Sequence, residues 1–209
     1  TGVPKPAVPY AQEIKKPPPR LRVGLTTKGP LDIKPVQSSV DAVTKAATVL
    51  NSLGHHVAPV DCKWPMASDD LERDFLNVWC SGTAYYDFSD WSDIEPVNAA
   101  LRAMGQKLTS HEYIQSVVRL QIFSRQIVNA WGQEFDLLLT PTLAIEPPPI
   151  GWIHQGDPKD PLSAMRRAVE MVPYCGWCNV TGQPAMSLPV QDRKSTRLNS
   201  SHTDISRMP

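Results

Sequence analysis

Leu21-Arg22-Val23-Gly24-Leu25-Thr26-Thr27 is the stretch on which the fold turns. Its side chains alternate with the period of a strand. Val40, Val43, Ala47 and Leu50 then recur at helical spacing, Gly54 supplies a helix stop, and His56-Val57-Ala58-Pro59-Val60 resumes strand character. A strand, a helix and a strand in this order form a β-α-β unit. Its right-handed crossover sets the two strands parallel, with the helix over one face. An α/β chain is therefore expected.

Downstream of that unit, Ser68–Asp70 opens a helix carrying Leu71, Phe75, Val78 and Trp79, and Asp69 with Glu72 has the spacing of a capping box. The aromatic residues Tyr85, Tyr86, Phe88 and Trp91 fit helix-to-helix packing better than a binding cage. Thr109-Ser110-His111-Glu112 is a second capping box, followed by an apolar stripe of Tyr113, Val117, Leu120, Phe123, Ile127 and Trp131 that ends at Gly132. Phe135–Thr140 is a continuous apolar run, as expected of a central strand covered on both faces. A proline-rich loop runs from Pro141 to Trp152, and Asp160-Pro161 starts one more helix through Met165, Ala168, Val169 and Val172.

That helix leads into Asn179-Val180-Thr181-Gly182-Gln183-Pro184-Ala185-Met186-Ser187-Leu188-Pro189-Val190. Asn179 and Gly182 tolerate positive φ and Pro184 fixes its own, so the first half reads as a turn; Ala185–Val190 reads as a short buried strand. In open α/β sheets such turns often line ligand crevices.

Composition sets outer limits. The 209 residues are 41% hydrophobic and 20% charged, ordinary for a globular chain, and 21 basic residues balance 21 acidic ones. No net field draws the chain to nucleic acid or an anionic membrane. No run approaches the ~20 apolar residues of a membrane span. The four cysteines, Cys62, Cys80, Cys175 and Cys178, do not make a disulfide framework, so a reducing, cytoplasmic location is expected.

Both ends differ from the middle. Residues 1–20 form a proline-rich connector ending in Lys15-Lys16-Pro17-Pro18-Pro19-Arg20, which favours polyproline II and could serve as an SH3-type ligand. Residues 21–191 form the domain. From Asp192 onward apolar period and turn logic both vanish, and Asp192–His202 resembles a sequencing adapter translated in one frame. Residues 192–209 are therefore expected to be a non-native tail.

Candidate chemistry is sparse. Cys175-Gly176-Trp177-Cys178 has the spacing of a redox pair or half a zinc site, but no second pair completes four zinc ligands, and the pair is placed after a helix rather than at the start of one. His55-His56 with Asp61 and Cys62 contains metal-ligand types, yet adjacent strand residues point to opposite faces. Ser38-Ser39 suits a helix start, Ser187 has no base in view, and no glycine-rich phosphate loop occurs. No cofactor and no metal are expected.

Taken together, Leu21–Thr27, the Asp41–Gly54 helix, Phe135-Asp136-Leu137-Leu138-Leu139-Thr140-Pro141-Thr142, Pro147-Pro148-Pro149-Ile150-Gly151 and Asn179–Pro189 resemble the amidase signature family, in the family's order. Within it the chain is similar to bacterial amidases related to 6-aminohexanoate cyclic-dimer hydrolases. The resemblance implies a partial amidase-signature fold, a mixed β-sheet flanked by helices and truncated at both ends. It also implies hydrolysis of carboxylic amides through a nucleophilic serine, a second serine in a cis peptide and a lysine base.

The glycine-rich segment and lysine of that triad have no counterpart here. The expectation is therefore a C-terminal part whose triad lies upstream of Thr1 and which is inactive alone. Thr142, Ile150 and Trp152 in the proline loop, with Asn179 and Gly182 in the later turn, are the substrate-pocket candidates, and a small-molecule amide is the expected partner. The competing expectations are a non-catalytic interaction module using the proline segments, or a thiol-redox protein using Cys175 and Cys178.

Overall fold

β1 (Arg22–Leu25) is the middle strand of a parallel three-stranded sheet ordered β2-β1-β3, where β2 is His56–Pro59 and β3 is Leu137–Leu139. The structure, a computed structural model, describes residues 5–90 and 92–190. Helix α2 (Gln37–Ser52) joins β1 to β2, completing the expected β-α-β unit, and Gly54 turns the chain at a φ of 92°. A β-carbon at Gly24 would press on Val60 and Phe135, so this position of the sheet requires glycine. At the head of the sheet the Arg22 guanidinium donates to Asp136 and to the carbonyls of Gly132 and Gln133, and the Arg22 amide donates to Asp136 Oδ2 at 2.8 Å.

The helical layer contains α3 (Ser68–Ala84), α4 (Pro96–Lys107) and α5 (Ser110–Val128), with α6 (Ser163–Met171) and α7 (Gly176–Thr181) closer to the C-terminal side. Thr109 and Glu112 form the reciprocal capping box that the sequence specifies for α5. Leu120, Phe123 and Ile127 of α5 meet Leu71 of α3 and Trp177 of α7 in the main core, with Leu138 of β3 packed against it. Full burial of a side chain like Phe123 contributes roughly 1.5–3 kcal/mol.

A polar seam crosses this apolar contact. Asp74 of α3 is 0% exposed and accepts from Arg119 Nε at 2.6 Å, Arg119 Nη2 at 2.7 Å, Ser116 Oγ at 3.0 Å and Arg73 Nε at 3.2 Å. Asn77 donates to Ser116 Oγ, so the buried hydroxyl is also used as an acceptor. Burial pushes the Asp74 carboxyl up, but the hydrogen bonds from Arg119, Arg73 and Ser116 outweigh it and hold the group below the ordinary carboxylate value.

Several expectations are corrected. Ala185–Val190 is not a strand: Met186, Leu188 and Val190 are exposed, and Pro184 and Pro189 cannot donate to a ladder. Asn179 does not take positive φ, because it lies inside α7; Gly182 does, at 70°. Among the described residues β3 is an edge strand rather than a central one, with Leu137 half exposed. The Asp69–Glu72 box does not form, since the chain enters α3 through Ala67 without a side-chain cap.

Tyr85, Tyr86 and Phe88 do not join helices either. α3 stops at Ala84, so these rings leave the helical repeat, and they stack on one another in an exposed connection. Trp91 lies outside the described residues, as do Gln191 and the expected tail of residues 192–209. Helix α4 stands outside the sequence expectations, although Pro96 at its first turn was a usable start signal. The 1–20 connector contains one helical turn, α1 (Tyr10–Glu13).

Candidate active site

The carboxyl ends of β1 and β3 open toward the segments that the sequence singled out. Past β1 the chain runs through Thr26 and Thr27 to Pro30 and Leu31; past β3 it enters the loop from Pro141 to Trp152. The Thr26 amide donates to the Leu139 carbonyl at 3.1 Å, holding the two strand exits side by side. Ligands of open α/β sheets collect outside such carboxyl ends.

Two later segments close on this edge. Thr142 Oγ1 lies 3.2 Å from Ser187 Oγ, joining the loop after β3 to the stretch after Gly182. Tyr174, between α6 and α7, donates its hydroxyl to the Thr27 carbonyl at 2.8 Å. Burial pushes the Tyr174 phenol up to about 12, which keeps it a neutral donor. The loop itself is stitched down at the buried Ala144, whose carbonyl accepts from the Val36 amide and whose amide donates to the Met171 carbonyl.

Behind Pro30 and Leu31 lies an apolar cleft of about 250 Å³ between α3, α6 and α7. Asn179 lines it, and it also lines a shallower groove of about 530 Å³ between α3, α5 and α7. Two buried polar atoms near α7, Trp177 Nε1 and Gln183 Oε1, have no hydrogen-bond partner among the described residues. Trp177 is 6% exposed and is packed between the Trp64 and Trp131 rings, at centroid distances of 5.9 and 5.5 Å.

The five pocket candidates do not converge on one point. Thr142 and Asn179 stand at the sheet edge and the cleft, and Gly182 ends α7 with the left-handed turn that sends the chain toward Ser187. Trp152 belongs to a 3₁₀ turn, Trp152–His154, and stacks under Arg167 of α6 at 3.9 Å. Ile150 is fully exposed. Pattern reading missed Tyr174, Trp177 and the Pro30-Leu31 corner. Trp177 lies inside Cys175–Cys178, where the thiol spacing is the signal that the sequence offers.

Those thiols lie otherwise than expected, because Cys175 caps the short α7 and so begins a helix. Burial and the neighbouring Cys175 push the Cys178 thiol up, away from the thiolate that exchange chemistry needs. His55 Nδ1 accepts from the Leu21 amide, a structural bond at the start of β1. Among the described residues no group of three or more His, Cys, Asp or Glu side chains could hold a metal ion, and no helix is long and apolar enough to cross a membrane.

Known proteins resemble this chain in sequence and fold. The 6-aminohexanoate-cyclic-dimer hydrolase of Pseudomonas sp. (strain NK87) is 27% identical over 203 residues, covering 87% of this chain and 40% of its own length. Its counterpart from Paenarthrobacter ureafaciens is 28% identical over 204 residues, with the same two coverages. A solved structure of 6-aminohexanoate cyclic dimer hydrolase superposes with a TM-score of 0.73 at 26% identity, over 89% of this chain and 41% of that one. The chain thus spans about two fifths of the length of these relatives. The family model described as Amidase matches residues 1–202, and with the partial α/β fold seen here the chain belongs to the amidase family.

Proposed function

We propose that this chain carries the pocket-forming part of an enzyme that hydrolyses small carboxylic amides. The observation that carries the reading is the meeting of four segments at the carboxyl edge of the parallel sheet, with Thr142 against Ser187 and Tyr174 against Thr27. In the reading, Thr142, Asn179 and Gly182 shape the amide pocket directly. Ile150 and Trp152 border it from the proline loop.

Hydrolysis in the whole enzyme proceeds through an acyl-enzyme formed by a serine, with a lysine acting as base through a cis-peptide serine. The triad belongs to residues other than those of this chain, and the polypeptide 1–209 alone does not hydrolyse amides. Two serines support that part of the reading by what they already do. Ser116 is locked beneath Asp74, and Ser187 pairs with a threonine hydroxyl rather than a base. A cytoplasmic location belongs to the same proposal, supported by four free thiols.

The test is ammonia release from acetamide, hexanamide and benzamide. Purified 1–209 is expected to release none, and release that a serine-directed sulfonyl fluoride abolishes would place the triad within this chain. Joined to a preceding segment bearing the serine pair and the lysine, the chain is expected to turn over amides. In that form Trp152→Ala is expected to change the relative rates on small and bulky amides; unchanged selectivity would remove the loop from the pocket.

A further inference from the structure

We propose that Cys175 and Cys178 form a reversible modification site, at which glutathione disulfide closes a bridge across the first turn of α7 and stiffens the chain as far as Gly182. The proposal concerns the thiols and does not depend on the amide-hydrolase reading. The spacing of the pair meets a backbone that suits it. Cys175 has helical dihedrals, φ −93° and ψ −30°, and the Cys178 amide donates to its carbonyl at 3.1 Å. Residues three apart in a helix share a face with their α-carbons roughly 5 Å apart, inside the ~4.4–6.8 Å that a disulfide spans. Both sulfurs are free thiols.

The two thiols differ in access, and the difference sets the order of events. Cys175 is exposed and Cys178 is half-buried. Burial, and after it the neighbouring Cys175, holds Cys178 in its protonated form, so Cys175 is the thiol that a dissolved oxidant meets first. As a thiolate Cys175 attacks one sulfur of glutathione disulfide, giving a mixed disulfide and one glutathione, which takes up a proton. Cys178 then gives its proton to solvent and attacks Cys175 Sγ, and the second glutathione leaves and is protonated. The two cysteines lose two electrons and glutathione disulfide gains them.

The bridged turn is tied to the rest of the fold at two points. Trp177, inside the bridge, is packed between the Trp64 and Trp131 rings. The Cys178 carbonyl accepts from the Gly182 amide at 2.8 Å, at the left-handed turn that leads toward Ser187. Fixing Cys178 to Cys175 therefore restrains the exit of α7 as well as its start. In a reducing compartment the pair rests as thiols, and a rise in glutathione disulfide closes it.

Purified 1–209 is equilibrated in glutathione buffers, its free thiols are trapped, and it is digested with trypsin. One peptide, Ala168–Arg193, carries both thiols and neither Cys62 nor Cys80. In native buffer this peptide is expected to lose two hydrogens, to carry no glutathione, and to return to the dithiol under dithiothreitol. Cys178→Ser is expected to trap glutathione on Cys175, and Cys175→Ser to leave Cys178 unmodified. The equilibrium constant against glutathione is expected to fall at least about tenfold in urea, where closure must first fix the residues between the sulfurs. Oxidation is expected to slow hydrogen exchange at the Gly182 amide. A lasting glutathione adduct on the unsubstituted chain would overturn the proposal, because the sulfurs would then not meet. So would an equal constant in urea, which needs no variant to fold, modification of Cys178 ahead of Cys175, or Gly182 exchange that oxidation leaves unmoved.

Discussion

Helix α3 borders two contrasting regions. On the α5 side Asp74 is sealed from solvent and every one of its hydrogen-bond partners is in place. On the α6 and α7 side Leu71, Phe75 and Leu76 border an apolar cleft, and the Trp177 indole N–H is buried without a hydrogen-bond partner among the described residues. The first region is held by polar bonds and the second by apolar contact. A buried charge with complete partners fixes the position of a helix, so the seam sets where the cleft wall stands.

The largest expected effect breaks the seam. Asp74→Ala leaves Arg119 and Ser116 facing an apolar contact, and a loss of about 3–5 kcal/mol in urea unfolding is expected. A loss under about 1 kcal/mol, the range of exposed pairs, would mean that the seam holds α3 and α5 no more firmly than a solvated ion pair. The same contact predicts an acid response. The folded pKa of Asp74 lies below its unfolded value of about 3.9, so its contribution is complete above that pH and disappears as pH falls through the folded value. Asp136 and Asp160 are also held low by arginine partners, so Asp74→Ala is expected to flatten the acid limb of a stability-pH curve without abolishing it.

Smaller effects sharpen the contrast from the α4 and α5 ends. Gly105 of α4 sits so close to the Cys80 carbonyl of α3 that an added β-carbon would overlap it. Gly105→Ala is expected to cost about 1–3 kcal/mol, read as a lower denaturation midpoint. Removal of the α5 cap by Thr109→Ala is expected to cost about 1 kcal/mol, with Thr109→Ser close to neutral. If Thr109→Ala cost more than Asp74→Ala, the stability of α5 would rest on its end and not on its seam.

The features legible in the sequence were those encoded within a few residues. The Thr109-Glu112 box spans three positions, and the β-α-β unit shows in its own periodicity and at Gly54. Asp74 gave no such signal, because its partners Ser116 and Arg119 are 42 and 45 residues away. Leu137–Leu139 looked central because it is apolar throughout, but position within a sheet is set by which strands pair. Ala185–Val190 had strand-like composition but finds no strand to pair with among the described residues. At the site, Thr142 and Asn179 came from turn and motif reading, while the Ser187 and Tyr174 contacts depend on segments brought together by the fold.

The central place of β1 also bears on how the chain is made. Its contact with the start of β2 closes over 34 residues, as in the Leu21–His55 bond, whereas Arg22 must wait for Asp136, 114 residues later. At roughly 5–20 residues per second, a nascent chain holds one edge of β1 open for several seconds after the other is paired. During that interval the unpaired edge can recruit a foreign strand. Slow-growing chains and crowded ribosomes are where misassembly of this protein is expected to begin, and Arg22 with Asp136 is the latch that ends the exposure.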